Sequence, residues 1–430
     1  MTAPGNLRTN QVIIFALVWC SYCCTYFLRK PLGVVKTDMA ADLALSKTAL
    51  GWCDTALVLP YAAVQILLPS LSDMWGPRAV LSSCLGLAGI ATYLTYSVWG
   101  QNIFSLYLGL ALTGALLAPC WPACTASLSS WFPDNRLNSM FGLINTATYS
   151  GGLGGTALAA ALLEWSGWRS VALPPAVMAV ATAGIVSLAL RTPAEKGVLV
   201  PGKTSQTPQE KINSLTQSQS LISLAKTPCV PQLATSLFCL KFVRYCMALW
   251  LPLYLLEHLG YSKLQAGMFS TVFDIGGIVG SPLLGLVLDR YYTNNQAILG
   301  VTHAMVGGTL ATGVFVLTAE WGIFFNAACL LVAGAGNCGP DSILAGSVSM
   351  EVGERAGGGR GAGVTSFING VGNVGGMVEG PLIGLLWGVV GWGGVLPALV
   401  VVSGVGTVAT YQAFKLDKQI RDLATVTLPT

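Results

Sequence analysis

Asn145-Thr-Ala-Thr-Tyr-Ser-Gly151-Gly152 and Asn369-Gly-Val-Gly-Asn-Val-Gly375-Gly376 are two versions of one segment, one in each half of the chain. Working outward, Gly167-Trp168 returns as Gly391-Trp392 at the same offset, and Asp73 has a counterpart in Asp289 at a slightly shorter one. Three matches in one order indicate a duplicated chain. Both glycine-rich segments sit inside apolar runs, where small residues let helix backbones approach closely. The repeat therefore reads as two similar helical halves buried in a membrane.

Composition agrees. The chain has 430 residues, 53% hydrophobic and 9% charged, with 51 glycines. Soluble domains carry about 25% charged residues, so this chain lacks the polar surface to cover itself in water. A net charge of +4, dispersed along the sequence, gives no footprint for nucleic acid. Of the twelve cysteines only Cys229 lies near a polar loop. Even the Cys20-Ser-Tyr-Cys23 spacing falls in an apolar run without a nearby histidine, so the thiols read as packing residues.

A membrane-spanning helix needs about 20 apolar residues. Runs of that size fall near residues 11–35, 49–70, 79–98, 103–130, 138–163 and 170–190, then 232–256, 265–288, 297–317, 321–349, 363–389 and 394–414. The expected fold is all-α, with twelve spans in two pseudo-symmetric six-helix bundles. Residues 1–190 form the N-terminal half, 191–231 a polar cytosolic linker, 232–414 the C-terminal half and 415–430 a cytosolic tail. The polar first ten residues carry no cleavable signal, so the first span reads as an uncleaved anchor. With both termini cytosolic, fourteen lysines and arginines fall on that side, including Arg78, Lys203, Lys211, Arg355 and Arg421. Four, Lys36, Lys47, Arg169 and Lys263, fall on the other. That bias follows the positive-inside rule and requires an even number of spans.

Ionisable side chains inside spans are costly and mark function. The basic ones are Arg29 and Lys30 in the first span and Lys241 and Arg244 in the seventh; the acidic ones are Asp54, Asp274, Asp341 and Glu379. Almost the same interval separates Arg29 from Arg244 as separates Asp73 from Asp289, so the repeat predicts one arginine at nearly the same place in each half. Two such guanidinium groups facing one another repel unless an anion lies between them. Phosphate suits the gap, because each planar fork donates two parallel hydrogen bonds to its oxygens. Two competing readings stand beside this. Arg29 and Lys30 could end the first helix and snorkel to the interface, and Lys241 and Arg244 could form structural pairs with Asp274 or Glu379.

Tyr22 and Tyr26, four apart, share a helical face with Arg29 and Lys30 and either help hold the ligand or pack. Asn145, Thr148, Asn369 and Asn373 either line the pathway or bond neighbouring helices. Asp54 reads as a proton site or a cation's partner. Asp73 and Arg78, in Leu71-Ser-Asp-Met-Trp-Gly-Pro-Arg78, read as a cytosolic gate or hinge.

Tyr22-Cys-Cys-Thr-Tyr26-Phe-Leu-Arg29-Lys30 resembles the first-helix signature of the organophosphate:phosphate antiporters of the major facilitator superfamily. Leu71-Ser-Asp73, Trp121-Pro-Ala-Cys124 with Trp131-Phe132, and Lys241-Phe-Val-Arg244-Tyr245 running to Trp250-Leu-Pro-Leu-Tyr254 resemble that family's loop after helix two and its helices four and seven. Phe273-Asp274-Ile-Gly-Gly-Ile-Val-Gly280 and Gly339-Pro340 look closest to its eukaryotic sugar-phosphate exchangers, a branch that includes glucose-6-phosphate carriers of the endoplasmic reticulum. The resemblance implies that Arg29 and Arg244 correspond to the paired phosphate-binding arginines, with Tyr22 and Tyr26 beside them. There are departures. Gln65 stands where bacterial relatives have a lysine, no histidine occurs near Ala147-Thr148, and Ala126 replaces a basic residue of some relatives.

The function expected is exchange of a phosphate ester, a sugar phosphate or glycerol 3-phosphate, for inorganic phosphate by alternating access. The substrate-binding candidates are Arg29, Arg244, Lys30, Tyr22, Tyr26, Lys241, Asn145, Thr148, Asn373 and Asp274. No cofactor, metal or nucleic acid is called for. The partners are the two anions and the bilayer of the endoplasmic reticulum or plasma membrane, the protein being a monomer or weak homodimer. The alternatives are a proton-coupled organic-anion symporter or uniporter of the same fold, and a non-transporting sugar-phosphate sensor. Enzymatic chemistry is not expected, since no nucleophile–base set emerges and the two histidines, His258 and His303, lie near span ends.

Overall fold

Proline and glycine divide the apolar runs into helices. The computed structural model describes residues 4–45, 47–68, 71–201, 221–261, 263–292, 296–357 and 360–427. Every regular element among them is helical. The first stretch of chain forms α1 (Pro4–Arg29), α2 (Pro31–Asp42), α3 (Lys47–Leu67), α4 (Leu71–Trp75), α5 (Pro77–Leu94), α6 (Ile103–Leu117), α7 (Cys120–Trp131), α8 (Leu137–Ile144), α9 (Thr146–Ser166) and α10 (Leu173–Ala189). Then follow α11 (Leu221–Ala225), α12 (Val230–Glu257), α13 (Lys263–Tyr291), α14 (Ala297–Leu317), α15 (Ile323–Ile343), α16 (Ser349–Arg355), α17 (Gly361–Val390) and α18 (Trp392–Thr427). Most of the polar stretch between α10 and α11, with Lys203 and Lys211, lies outside the described residues.

Eight helical stretches among the described residues are long and apolar enough to cross a membrane. Trp52–Leu67 and Leu173–Ala189 are shorter apolar helices. With α9 and α12, whose glycines, hydroxyls and cations dilute the apolar faces, the crossings come to twelve. Breaks within crossings have local causes. Pro31 and Pro119 lack the N–H that would continue α1 and α6, and a π-helical turn, Leu344–Val348, follows Pro340 at the end of α15. The last helix runs on through residues read as tail, where Asp417 accepts from Arg355 Nη1 at 2.6 Å and lies in an ion pair with Arg421 at 3.1 Å.

The chain packs as two units: Met1–Asp134 with Thr146–Gln219 and Gly357–Ser366, and Asn135–Asn145 with Ser220–Ala356 and Phe367–Thr430. In the first, α5 lies along α10, α3 along α6 and α1 along α9; in the second, α13 lies along α15, α14 along α15 and α12 along α18.

Each unit repeats the other's closest contacts. Gly114 of α6 abuts the Leu57 carbonyl of α3 so tightly that a Cβ would collide, and Gly334 of α15 abuts the Phe273 carbonyl of α13 in the same way. Gly151 of α9 lies against the Cys23 carbonyl of α1, and Gly375 of α17 against the Phe238 carbonyl of α12. The interval from Cys23 to Phe238 equals that from Arg29 to Arg244, and the interval from Gly151 to Gly375 is that of the glycine-rich segments. The duplication read from sequence is therefore a duplication of packing.

One helix start in each unit is capped by a distant aspartate. In the first unit the Gly363 N–H at the start of α17 donates to Asp73 Oδ2 at 2.8 Å. In the second, the Ser139 N–H at the start of α8 donates to Asp289 Oδ2 at 2.8 Å, and Asn138 Nδ2 to Oδ1 at 3.0 Å. Each carboxylate satisfies orphan donors and meets the positive end of the helix dipole.

Candidate functional site: one arginine centre in each unit

Arg29 is the last residue of α1. Helical periodicity puts Tyr22 and Tyr26 on the same face, two turns and one turn before it respectively. The Arg29 guanidinium lies over the ring of Tyr61 on α3, 4.1 Å from its centroid, and 5.5 Å from that of Tyr26. Tyr22 stands edge-on to Tyr26 at 5.6 Å and tilts against Trp121 at 4.6 Å. Aromatic faces attract a cation without neutralising it. Arg29 Nη2 is buried with no hydrogen-bond partner among the described residues, and no carboxylate there forms an ion pair with the guanidinium. The result is a fixed positive charge with a donor to spare. Lys30 is exposed, its stem lying beside Gly152 and Gly155 of α9.

The second unit treats its cations differently. Lys241 of α12 is buried, and its ammonium donates to the side-chain oxygens of Asn369 and Asn373 at 2.5 and 2.7 Å. Those asparagines are four apart on α17, so one lysine head reaches both. One turn along α12, Arg244 Nη1 donates to Asp341 Oδ2 of α15 at 2.7 Å. Glu379 is fully buried near Cys246 and Trp250, with no hydrogen bond of good geometry to its oxygens among the described residues.

Of the remaining sequence candidates, Asn145 donates to Ser281 Oγ at 3.1 Å within the second unit, while Thr148 is buried in the first. Asp274 is half-buried on α13 and Asp54 exposed on α3. Gln65 is buried and donates to the Ala118 carbonyl at 2.9 Å. The cysteines are free thiols, most of them buried.

Sequence reasoning did not find Tyr61 or the pairing of Arg244 with Asp341. Asp341 was visible as a carboxylate inside a span, but its distance along the chain from Arg244 left the partner unspecified. Tyr61 follows Pro60 in an apolar run and carried no signal.

A family model described as Major Facilitator Superfamily matches residues 18–378. The chain belongs to that superfamily. Among its curated relatives, putative glycerol-3-phosphate transporter 2 of Arabidopsis thaliana is 25% identical, over 88% of this chain and 81% of the relative. The glucose-6-phosphate exchanger SLC37A2 of Homo sapiens is 25% identical, over 90% of this chain and 89% of its own. Two solved structures of the superfamily share the fold. The transporter FucP in its outward conformation superposes with a TM-score of 0.70 at 14% identity, covering 94% of this chain and 99% of FucP. The proton:xylose symporter XylE superposes with a TM-score of 0.72 at 12% identity, covering 96% of each chain. The protein is thus a Major Facilitator membrane transporter related to sugar-phosphate and glycerol-3-phosphate carriers.

Proposed function

We propose that this carrier exchanges a phosphate ester for inorganic phosphate by alternating access, with Arg29 as the principal anion ligand. The observation that carries it is the Arg29 centre: a half-buried arginine held by aromatic rings, its Nη2 buried, with no carboxylate partner and an unused donor among the described residues. A buried charge without a counter-ion is costly, and an anion arriving from solution removes that cost. Phosphate presents oxygens that fit the guanidinium fork.

Arg244 occupies the equivalent register in the other half, where Asp341 already pairs with it at 2.7 Å. Anion binding neutralises the Arg29 charge and permits reorientation, whereas the empty carrier keeps Arg29 without a counter-ion and reorients slowly. Coupling of the two fluxes follows, with direction set by the two gradients. The names of the relatives support a phosphorylated substrate, and the lysine and arginine bias supports cytosolic termini.

The test is counterflow. Purified protein in liposomes preloaded with phosphate should take up labelled phosphate many times faster than in empty liposomes. Uptake driven by a proton gradient alone, indifferent to phosphate inside, would contradict the exchange mechanism and favour proton symport.

A further inference from the structure

The two halves are alike in packing and unlike in the groups they bring to their arginines. The Gly114–Leu57 and Gly334–Phe273 contacts align α6 with α15, Gly114 falling on Gly334. In that register Asn337 and Asp341 of the second half fall on Leu117 and Trp121 of the first. One half has two polar acceptors where the other has two apolar side chains.

Asn337 and Asp341 are four apart on α15 and therefore share a face. Each is anchored to α12 by one polar atom. Asn337 Nδ2 donates to the Leu240 carbonyl at 3.2 Å, and Asp341 Oδ2 accepts from Arg244 at 2.7 Å. Leu240 and Arg244 are themselves four apart, so the contacts form two rungs between the helices. The carbonyl of Leu240 fixes the amide orientation, since a flipped Asn337 would set oxygen against oxygen. Both side chains are 5% exposed, and the other polar atom of each, the amide oxygen Asn337 Oδ1 and the carboxylate oxygen Asp341 Oδ1, is buried without a hydrogen-bond partner among the described residues. Buried acceptors are seldom left unpaired, and each such case calls for an explanation.

We propose that Asn337 and Asp341 read the hydroxyl groups of the transported ester. Both free atoms are acceptors only, one of them anionic, so they repel phosphate oxygens and require O–H or N–H donors. Their Cβ atoms lie one helical turn apart, about 5–6 Å, a span that suits hydroxyls on different carbons of a sugar ring. This assignment rests on the exchange reading above and narrows its substrate class to sugar phosphates with several free hydroxyls.

The experiment is competition against labelled phosphate uptake in phosphate-loaded liposomes, using glucose 6-phosphate and its 2-, 3- and 4-deoxy analogues. At least one deoxy analogue should compete about tenfold or more weakly than the parent, the effect of leaving a buried acceptor unpaired. In Asn337→Leu or Asp341→Asn the gap between parent and that analogue should shrink to roughly threefold or less. The ratio within one preparation is the readout, and the wild-type ligand series stands alone where a variant does not fold. Equal competition by all four sugars in the wild type, or a gap unchanged in both variants, would overturn the assignment. Failure of phosphate-for-phosphate uptake itself would instead sink the exchange reading. Direct binding of the same sugars to detergent-purified protein then still decides hydroxyl recognition, by the presence or absence of the same gap.

Discussion

Gly151 and Gly152 are chain neighbours with opposite surroundings, and substituting each by alanine separates them sharply. A Cβ at Gly151 would lie 2.5 Å from the Cys23 carbonyl oxygen, 2.9 Å from Tyr26 Cβ and 3.1 Å from Cys23 Cα. Two of those atoms are backbone and cannot rotate away. Ordinary contact begins near 3.4 Å, so α9 and α1 must part by about 0.9 Å. At Gly152 the nearest atom is Lys30 Cε at 3.4 Å, the far end of a flexible side chain. Alanine in place of glycine within a helix gains about 1 kcal/mol, while overpacking costs about 1–3 kcal/mol. Gly152→Ala should keep the gain, whereas Gly151→Ala should lose up to about 2 kcal/mol net. Thermal unfolding in detergent should place the two variants several degrees apart. Phosphate affinity should fall only in Gly151→Ala, because the displaced Tyr26 flanks Arg29. A Gly151→Ala protein as stable and as avid as Gly152→Ala would refute the packing register on which the equivalence of the halves depends.

Two further predictions follow from the same geometry. Tyr61→Leu removes the ring beneath Arg29 while keeping bulk; at up to about 2 kcal/mol for a desolvated cation–π contact, phosphate affinity should drop by about 10- to 30-fold, and Tyr61→Phe should stay within about threefold. Equal losses in both would show that the ring face is not what positions the guanidinium. Asp73→Asn and Asp289→Asn each weaken a cap on a helix start, and each should lower stability by about 1 kcal/mol. A large effect at one site and none at the other, read by thermal unfolding, would contradict their equivalence.

Much of the fold was legible because the sequence repeats. Apolar runs gave the crossings, and the spacing of Arg29 and Arg244 reappears in the Cys23 and Phe238 contacts. The face bearing Tyr22, Tyr26 and Arg29 was legible because neighbours on one helix follow from its period. What could not be read were groups brought in from other helices. Tyr61, from α3, and Asp341, from α15, acquire their roles only once α3 lies near α1 and α15 near α12. The same limit hid two partners of Lys241, the side-chain oxygens of Asn369 and Asn373. The packing of residues 135–145 with the second unit and of 357–366 with the first was equally invisible, since it rests on contacts distant in sequence, among them Ser139 with Asp289 and Gly363 with Asp73. The continuation of α18 to Thr427 depends on Arg355, which lies far from Asp417 in sequence.

The most direct measurement is phosphate binding to purified wild-type, Arg29→Ala and Arg29→Lys proteins by titration calorimetry, with thermal unfolding to verify the fold. Loss of one member of a buried charge pair costs about 2–5 kcal/mol. Arg29→Ala should therefore bind phosphate at least about 30-fold more weakly, and Arg29→Lys, which keeps the charge but not the fork, should fall between. Folded Arg29→Ala protein that binds phosphate as tightly as the wild type would contradict the account.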